Sequence, residues 1–308
     1  MTLPEPGTAT GRTASDLRVA LLGTGRMGSA MAERLCLSGL TVTLYNRTPE
    51  RASELASQIG AGTATTPAEA AAGADVVISM VADDAAVAAL YDGPDGVVAG
   101  LRAGSVAVDM STVLPGTIQA LAPAVRARGA GILDAPVSGS VTTTLSGQLT
   151  IMVGGETADL DRARPVFEVL AKHVVHVGGL GAGAAMKLAV NTVIFGLNGA
   201  VAEGLVLAER SGIERSLAYE VIAASAVGAP FVGYKRDAFV EPDTTPVAFS
   251  LRLAEKDLRL IASQAGATGL ALPQAATNLE LIRAAEQSVG ADADFSTVAS
   301  HLREEGRR

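Results

Sequence analysis

The sequence has 308 residues, of which 48% are hydrophobic and 18% are charged. This composition is typical of a folded globular protein with one large domain or two modest ones. Its formal net charge of -8 argues against nucleic acid or an anionic membrane surface as the main partner, because both require basic patches. Cys36 is the only cysteine, so no internal disulfide can form, and we expect a cytoplasmic protein.

Short apolar runs alternate with helical segments in the first half of the chain. A first strand is predicted at 18–22, and the helix after it spans 27–38. Further strands are predicted at 41–45, 75–81, 105–109 and 131–134. Strands that alternate with helices predict an α/β fold with a parallel, doubly wound sheet.

The pattern changes after residue 150. Two last strands are predicted at 149–153 and 173–177, and His173 and His176 point to opposite faces there, so no metal site is expected. Glycines then interrupt the chain, and almost everything beyond them is predicted to be helical, beginning with a long helix at about 184–211. The predicted organisation is a flexible tail at 1–17, a first domain at 18–178 and an all-α domain at 179–308.

A glycine-rich hexapeptide lies between the first predicted strand and the first predicted helix. It consists of Gly23, Thr24, Gly25, Arg26, Met27 and Gly28. The first glycine permits a tight turn, the second allows a pyrophosphate to approach the backbone, and the third allows close packing of helix and strand. The N–H groups at the helix start attract phosphate. The motif in this context predicts a dinucleotide-binding domain.

The residues after the second predicted strand indicate which dinucleotide binds. NAD enzymes usually have Asp or Glu at this place, where it holds the ribose 2′-hydroxyl. This chain instead has Asn46, Arg47 and Thr48. Asn46 carries no charge to repel a 2′-phosphate, and Arg47 can pair with one. We therefore expect NADP(H) to be preferred over NAD(H).

Four motifs in the chain, the first of which is this hexapeptide, resemble those of the β-hydroxyacid dehydrogenase family. That family includes 3-hydroxyisobutyrate dehydrogenase and the tartronate, glyoxylate and succinic semialdehyde reductases. The motifs are the hexapeptide followed by Met31-Ala32, then residues 134–139 (DAPVSG), residues 181–191 (GAGAAMKLAVN) and residues 256–258 (KDL). The resemblance implies a Rossmann-type domain followed by an all-helical domain.

The resemblance also implies roles for matching residues. Lys187 would be the general acid and base, and Ser138, Gly139 and Ser140 would hold the substrate carboxylate. Asn191, four residues after Lys187 and on the same helix face, would position the lysine and the substrate oxygen. Further cofactor contacts are implied for Val81, Ala82, Thr112 and Lys256.

The sequence departs from the family pattern in two places, of which the first bears on the substrate and the second on a cofactor contact made mainly by the backbone. Gly139 is followed by Ser140 rather than by a second glycine, a form often found in semialdehyde-reducing members, and Val81-Ala82 replaces the frequent Leu-Pro. The three threonines at 142–144 are expected either to line the pocket or to cap a helix.

We expect an oxidoreductase that interconverts a small 3-hydroxy acid and its semialdehyde, or reduces a related small carbonyl acid. The alternatives are an imine reductase of the same architecture and a non-catalytic NADPH-binding protein. Lys187 argues against both, since imine reductases commonly have Asp or Tyr there and structural relatives have lost the lysine. The substrate carries a carboxylate, and neither nucleic acid nor membrane is expected as a partner.

The apolar stretch at 188–208 is interrupted by Asn191, Asn198 and Glu203. A buried helix is therefore expected there rather than a membrane span. It has more apolar surface than one short helical domain can cover, so we expect a homodimer or tetramer built through this domain.

Overall fold

A computed structural model describes residues 16–305. The chain divides into two compact units. The first ends at Lys187 and the second begins at Leu188. The sequence placed this division at 178/179, whereas the structure includes the start of a long helix in the first unit. Residues 1–15 of the predicted tail lie outside the described residues. Leu17, at the end of that predicted tail, is buried in the core of the first unit, because its apolar side chain directly precedes a strand.

Among the described residues of the first unit, nine strands form one sheet. Their bounds are β1 Arg18–Leu22, β2 Thr41–Tyr45, β3 Gly62–Thr63, β4 Val76–Ser79, β5 Val106–Asp109, β6 Gly131–Asp134, β7 Val137–Ser138, β8 Leu149–Gly155 and β9 Ala171–Gly178. The strand order is β3-β2-β1-β4-β5-β6-β8-β7, with β9 paired to β8. From β3 to β6 every pairing is parallel. The predicted doubly wound α/β fold is thus confirmed.

Helices connect these strands and cover the sheet. The helices that precede β9 are α1 Arg26–Leu37, α2 Pro49–Ile59, α3 Pro67–Ala72, α4 Asp84–Tyr91, α5 Val97–Gly100, α6 Pro115–Ala127, α7 Val141–Leu145 and α8 Thr157–Leu170. Alternate residues of β1 pack into two separate buried clusters, Val19 and Leu21 in one, Ala20 and Leu22 in the other. Both faces of the sheet are therefore covered, which explains the continuous apolar runs of its strands.

The far side of the sheet is not purely parallel. β8 pairs antiparallel with both β6 and β7. Between β6 and β8 the chain has one five-residue helix, α7, which is too short to cross the sheet as the helix of a parallel connection does. The chain therefore turns back, and the longer α8 then allows β9 to pair parallel with β8.

The second unit is helical. Helix α9 spans Ala182–Arg210 and begins in the first unit. It is followed by α10 Arg215–Ala224, α11 Pro230–Tyr234, α12 Arg236–Val240, α13 Leu251–Ala267, α14 Pro273–Val289, a 3₁₀ turn at Phe295–Thr297, and α15 Val298–Glu305. An all-α second domain is therefore confirmed.

Aromatic rings and one buried ion pair form the core of the second unit. Phe195 of α9 lies edge-on to Phe295, with ring centroids 6.1 Å apart. The ammonium of Lys235 binds both carboxylate oxygens of Asp294 at 2.7 and 2.8 Å. Burial lowers the pKa of Lys235, although the Asp294 charge opposes this effect. These contacts join α9, the junction of α11 and α12 and the 3₁₀ turn in one core.

Among residues 16–305, α9 is the one helix long and apolar enough to cross a membrane by length and composition. A core helix of a folded domain passes the same test. Asn198 of α9 donates to the carbonyl of Phe295 at 3.1 Å, and Asn191 is also buried and hydrogen-bonded within its unit. These polar contacts are those of a helix packed against protein.

Candidate functional site

The glycine-rich loop lies where β1 ends and α1 begins. Gly23 has φ +104°, and a Cβ on it would lie 2.2 Å from the carbonyl oxygen of Met80. A Cβ on Gly28 would lie 2.0 Å from the carbonyl oxygen of Gly23. Packing within the protein therefore requires glycine at both positions.

Gly25 differs from its neighbours, because a Cβ there would meet nothing within 4 Å. Protein packing does not explain this glycine, whereas the approach of a ligand to the backbone would. The first turn of α1, with Arg26 and Met27, has neither a side-chain cap nor an acidic residue. The hydroxyl of Thr24 is buried and has no hydrogen-bond partner among the described residues. An open approach to the backbone at Gly25, an uncapped helix start and an orphaned hydroxyl fit a dinucleotide's phosphates.

Asn46 has a structural part in this loop that sequence reasoning missed. Its Oδ1 accepts the N–H of Thr24 at 3.2 Å, and its Nδ2 donates to the carbonyl of Thr48 at 3.0 Å. An aspartate could make the first bond but could not donate the second. Arg47 and Thr48 are exposed, and the Arg47 guanidinium has no ion-pair or hydrogen-bond partner among residues 16–305. An unpaired cation therefore lies beside the glycine-rich loop at 23–28 (the phosphate loop).

The loops after β4 and β5 contain Val81, Ala82 and Thr112. Val81 and Thr112 are half-buried and Ala82 is exposed. The N–H of Val81 already donates to Oγ of Ser111 at 3.0 Å. A cofactor contact at Val81 cannot use that N–H, a restriction that the sequence did not reveal.

Asp109 is a buried carboxylate at the end of β5. Its oxygens accept the hydroxyl of Ser79 at 2.5 Å and the N–H of Ser111 at 3.0 Å. Burial raises its pKa to about 6. The hydrogen bonds from Ser79 and Ser111 oppose this shift, and the charge of Asp134 adds to it.

The segment predicted to bind a carboxylate follows β6. The Ser138 hydroxyl is half-buried and has no hydrogen-bond partner in the described part of the chain. Gly139, at φ +148°, is so close to Thr143 that a Cβ would lie 2.5 Å from its hydroxyl. Ser140 and Thr143 form a reciprocal cap at the start of α7. Of the two expectations for the threonines, capping is therefore what Thr143 does, and the Ser140 hydroxyl takes part in the same cap.

Asp134, the last residue of β6, holds the start of α9. Its two oxygens accept the N–H groups of Gly181 and Ala184, each at 2.7 Å. A Cβ on Gly183 would lie 2.4 Å from the Met152 carbonyl oxygen and 2.6 Å from that of Asp134. Burial raises the pKa of Asp134, and the N–H donors at the helix start oppose this shift. The glycines of the motif at 181–191 thus serve this close approach.

Lys187 and Asn191 lie one turn apart on α9, as the sequence predicted. Lys187 is half-buried and Asn191 is buried. Nδ2 of Asn191 donates to Asp257 at 2.8 Å, and the ammonium of Lys256 pairs with the other carboxylate oxygen at 2.8 Å. Asp257 lies in the motif at 256–258, but no role for it was evident from the sequence. Its spacing of three residues from the apolar Ala254 was a signal, since a carboxylate on a buried face requires partners.

Comparisons with known proteins identify the family of each part of the chain. The family described as the NAD binding domain of 6-phosphogluconate dehydrogenase matches residues 18–178. The family described as the NAD-binding domain of NADP-dependent 3-hydroxyisobutyrate dehydrogenase matches residues 181–302. The two matches meet close to the predicted domain boundary.

Individual relatives are similar over nearly the whole chain. Glyoxylate/succinic semialdehyde reductase 2 of Arabidopsis thaliana is 32% identical over 92% of this chain and 79% of its own length. NAD-dependent L-serine dehydrogenase of Pseudomonas aeruginosa is 32% identical over 91% of this chain and 96% of its own. The structure of Mycobacterium tuberculosis 3-hydroxyisobutyrate dehydrogenase with L-serine has a TM-score of 0.81 and 32% identity, covering 93% of this chain and 99% of that one.

The protein is therefore an NAD(P)-dependent dehydrogenase or reductase that acts on CH–OH groups. Its fold, its phosphate loop and its relatives agree on a nicotinamide cofactor. The chain belongs to the β-hydroxyacid dehydrogenase family.

Proposed function

We propose that the protein reduces small semialdehydes that carry a carboxylate to the corresponding hydroxy acids, with NADPH as the preferred cofactor. The observation that carries the proposal is the anchored start of α9, where Asp134 binds two N–H groups directly before the turn with Lys187. A lysine on a fixed helix start meets the geometric demand on a general acid.

The chemistry divides between cofactor and protein. The nicotinamide supplies the hydride when it is bound. Lys187 donates a proton to the carbonyl oxygen as negative charge develops on it, and accepts that proton in the reverse reaction. Asn191 contributes an amide whose Nδ2 is held by Asp257, so that its Oδ1 points away from that carboxylate.

Carboxylate recognition is assigned to Ser138 and Gly139. The Ser138 hydroxyl lacks a partner among residues 16–305 and is half-buried, so it can donate to an anion without breaking an existing bond. Ser140 has a supporting part, because its hydroxyl accepts the N–H of Thr143 at 3.3 Å and its own N–H donates to the Thr143 hydroxyl at 2.6 Å. It shapes the turn beside Ser138 and Gly139. This arrangement supports a small carboxylate-bearing substrate.

The preference for NADPH rests on Arg47. Its exposed guanidinium beside the phosphate loop can bind a 2′-phosphate through two hydrogen bonds. The Arabidopsis and Pseudomonas relatives are named for different substrates, and the latter is named NAD-dependent. The test therefore compares cofactors as well as substrates. Glyoxylate, succinic semialdehyde and a cyclic imine are offered with NADPH and with NADH, and L-serine and 3-hydroxyisobutyrate with NADP and with NAD.

The expected result is reduction of a semialdehyde with a higher kcat/KM for NADPH than for NADH. Turnover of the cyclic imine alone would identify an imine reductase. NADPH binding without turnover of any of these compounds would identify a non-catalytic NADPH-binding protein.

We also propose that the protein forms a homodimer or tetramer through its helical unit. Three apolar residues of α9, spaced seven apart, are exposed: Val193, Ala200 and Leu207. Val193 and Leu207 are each 70% exposed. Residues seven apart lie on one side of a helix, so they form a stripe suited to helix packing with a second copy.

A further inference from the structure

Two loops of the first unit follow neighbouring strands. Residues 80–83 follow β4 and residues 110–114 follow β5, and these strands pair in parallel. Both loops therefore lie at the same edge of the sheet, where ligands of such folds bind. The first loop contains Val81 and Ala82, and the second contains Thr112.

One connection between the loops is made by Asp84, the first residue of α4. Its Oδ1 accepts the N–H of Leu114 at 2.8 Å and the hydroxyl of Thr117 at 2.5 Å. Leu114 is the N-cap residue of α6. A side chain from the start of α4 thus caps the start of α6.

The neighbouring Asp83 has a different and purely local part. Its Oδ1 accepts the N–H of Ala86 at 2.8 Å, which caps its own helix α4. Asp83 thus caps its own helix, whereas the adjacent Asp84 caps a helix that follows the other loop. This pair offers a natural control for any effect of losing a helix cap.

A second connection between the loops is made at Ser111, one residue before Thr112. The N–H of Val81 donates to Oγ of Ser111 at 3.0 Å, and Oγ of Ser111 donates to Asp109 at 3.2 Å. Thr112 lies between Ser111 and Leu114, so the two connections hold it from both sides. The segment with Thr112 is thus bonded on one side to the first loop and on the other to α4.

We propose that Asp84 is a positioning residue for the cofactor site. It holds the loop with Thr112 against the loop with Val81 and Ala82 by fixing the backbone of Leu114. The inference rests on the cofactor contacts assigned to these loops, and it adds a residue outside all four sequence motifs. Asp84 acts through Leu114 and does not itself contact the cofactor.

Three variants test this role. Asp84→Ala removes both bonds to the second loop, and Asp84→Asn keeps Oδ1 as their acceptor. Asp83→Ala removes a helix cap without removing a bond between the loops. The measurements are the NADPH Kd by fluorescence titration, kcat/KM for NADPH, the KM of the carbonyl substrate, and Tm.

Asp84→Ala is expected to weaken NADPH binding about tenfold and to lower kcat/KM for NADPH by about 10–100-fold, because displacement of a contact by about an ångström has effects of that order. The KM of the carbonyl substrate is expected to stay within about twofold. Asp83→Ala should lower Tm as much as Asp84→Ala does yet bind NADPH like the wild type, and Asp84→Asn should recover most of the binding.

Parallel losses in the two alanine variants would show that Asp84 is only a cap and would overturn the proposal, as would unchanged NADPH binding in Asp84→Ala. Should Asp84→Ala fail to fold, Leu114→Pro breaks the same bond from the donor side, since φ of Leu114 is −70° and suits proline. The NADPH Kd of Leu114→Pro is then judged as that of Asp84→Ala would have been. A wild type that binds NADPH but reduces no semialdehyde would contradict the proposed function, while the Kd comparison would still decide the role of Asp84.

Discussion

Asp134 and Gly181 lie 47 positions apart in sequence and are joined by a hydrogen bond of 2.7 Å, from the N–H of Gly181 to Oδ1 of the carboxylate. The other oxygen binds Ala184 in the same way. The helix with Lys187 is therefore anchored on the end of a sheet strand. A free helix end would leave these N–H groups without partners in a buried place.

Asp134→Ala is expected to lower the free energy of unfolding by about 2–4 kcal/mol, because two buried N–H groups lose their acceptor. The turn before Lys187 should loosen, so kcat should fall as well. Urea denaturation followed by steady-state kinetics measures both effects.

Glu214 provides the control for this prediction. It caps α10 with two N–H bonds of 2.9 Å each, from Ser216 and Leu217, but it is exposed. Water can replace its oxygens, so Glu214→Ala should lower the free energy of unfolding much less than Asp134→Ala does. Equal losses in the two variants would contradict the importance of the buried anchor.

Arg47→Ala is expected to weaken NADPH binding by about 1.5–3 kcal/mol, the contribution of hydrogen bonds to a charged group. NADH binding should change little, since NADH has no 2′-phosphate. Fluorescence titration with each cofactor measures the difference. Arg126→Ala removes an exposed arginine from the last turn of α6 and should leave both affinities unchanged. An equal loss for NADH and NADPH would mean that Arg47 does not recognise the 2′-phosphate.

The buried carboxylate of Asp109 predicts a pH dependence of stability. Its pKa of about 6 in the folded protein lies above the ordinary value of 3.8. Between these values the folded state binds more protons than the unfolded state, so the free energy of unfolding falls as pH rises. Two pKa units correspond to about 3 kcal/mol. This stabilisation is present below about pH 4 and is lost as pH rises past about 6.

Asp109→Asn removes the titrating group. The free energy of unfolding of the wild type minus that of the variant should therefore fall by about 3 kcal/mol between about pH 4 and pH 7. Urea denaturation across this range measures it. Asp95→Asn, at an exposed aspartate, should retain the slope of the wild type. A pH-independent difference for Asp109→Asn would mean that this carboxyl does not titrate in the range.

The sequence predicted those parts of the fold that depend on local pattern. The strands Arg18–Leu22, Thr41–Tyr45 and Gly131–Asp134 have the predicted bounds, because apolar runs bounded by glycine or polar residues leave little choice of ends. The antiparallel return of β8 was not predicted, since the pairing direction depends on what the connecting chain can span. The sequence of the short helix α7, which precedes β8, resembles that of an ordinary polar turn.

Residues of the candidate site could be proposed from the sequence, but the contacts between them could not. Gly25, Arg47 and Lys187 could be named from motifs, since each motif has a chemical reason that is visible in one segment. The bonds of Asp134 to Gly181 and of Asn191 to Asp257 join segments distant in sequence. Such pairings are set by tertiary packing, and no local pattern contains them.

The exposed stripe on α9 predicts the oligomeric state. The wild type should have a solution mass above the 31.0 kDa of one chain, and Val193→Glu should shift it towards the monomer, because a charge would be buried at the interface. Light scattering at micromolar concentration measures the mass. Leu270→Glu replaces another residue that is mostly exposed, outside the stripe, and should leave the mass unchanged. A monomeric wild type would contradict the prediction.

The role of Lys187 gives the most decisive test of the proposed chemistry. Addition of hydride to a carbonyl places negative charge on oxygen, and a general acid that neutralises it contributes about 10²–10⁴-fold in rate. Lys187→Ala should lower kcat by that order, while NADPH binding, which rests on the loop at 23–28, should change little. Lys187→Arg should also be slow, because a guanidinium hardly releases a proton.

Single-turnover kinetics and NADPH titration separate these effects. Lys172→Ala, at an exposed lysine of β9, is the control for loss of a positive charge. Partial rescue of Lys187→Ala by added small primary amines would support proton transfer, since an external ammonium can occupy the space that the side chain leaves. Near-normal turnover in Lys187→Ala would remove the lysine from the mechanism. The anchored start of α9 would then have a structural role alone, and the proton donor would have to be sought among the other polar groups near Ser138.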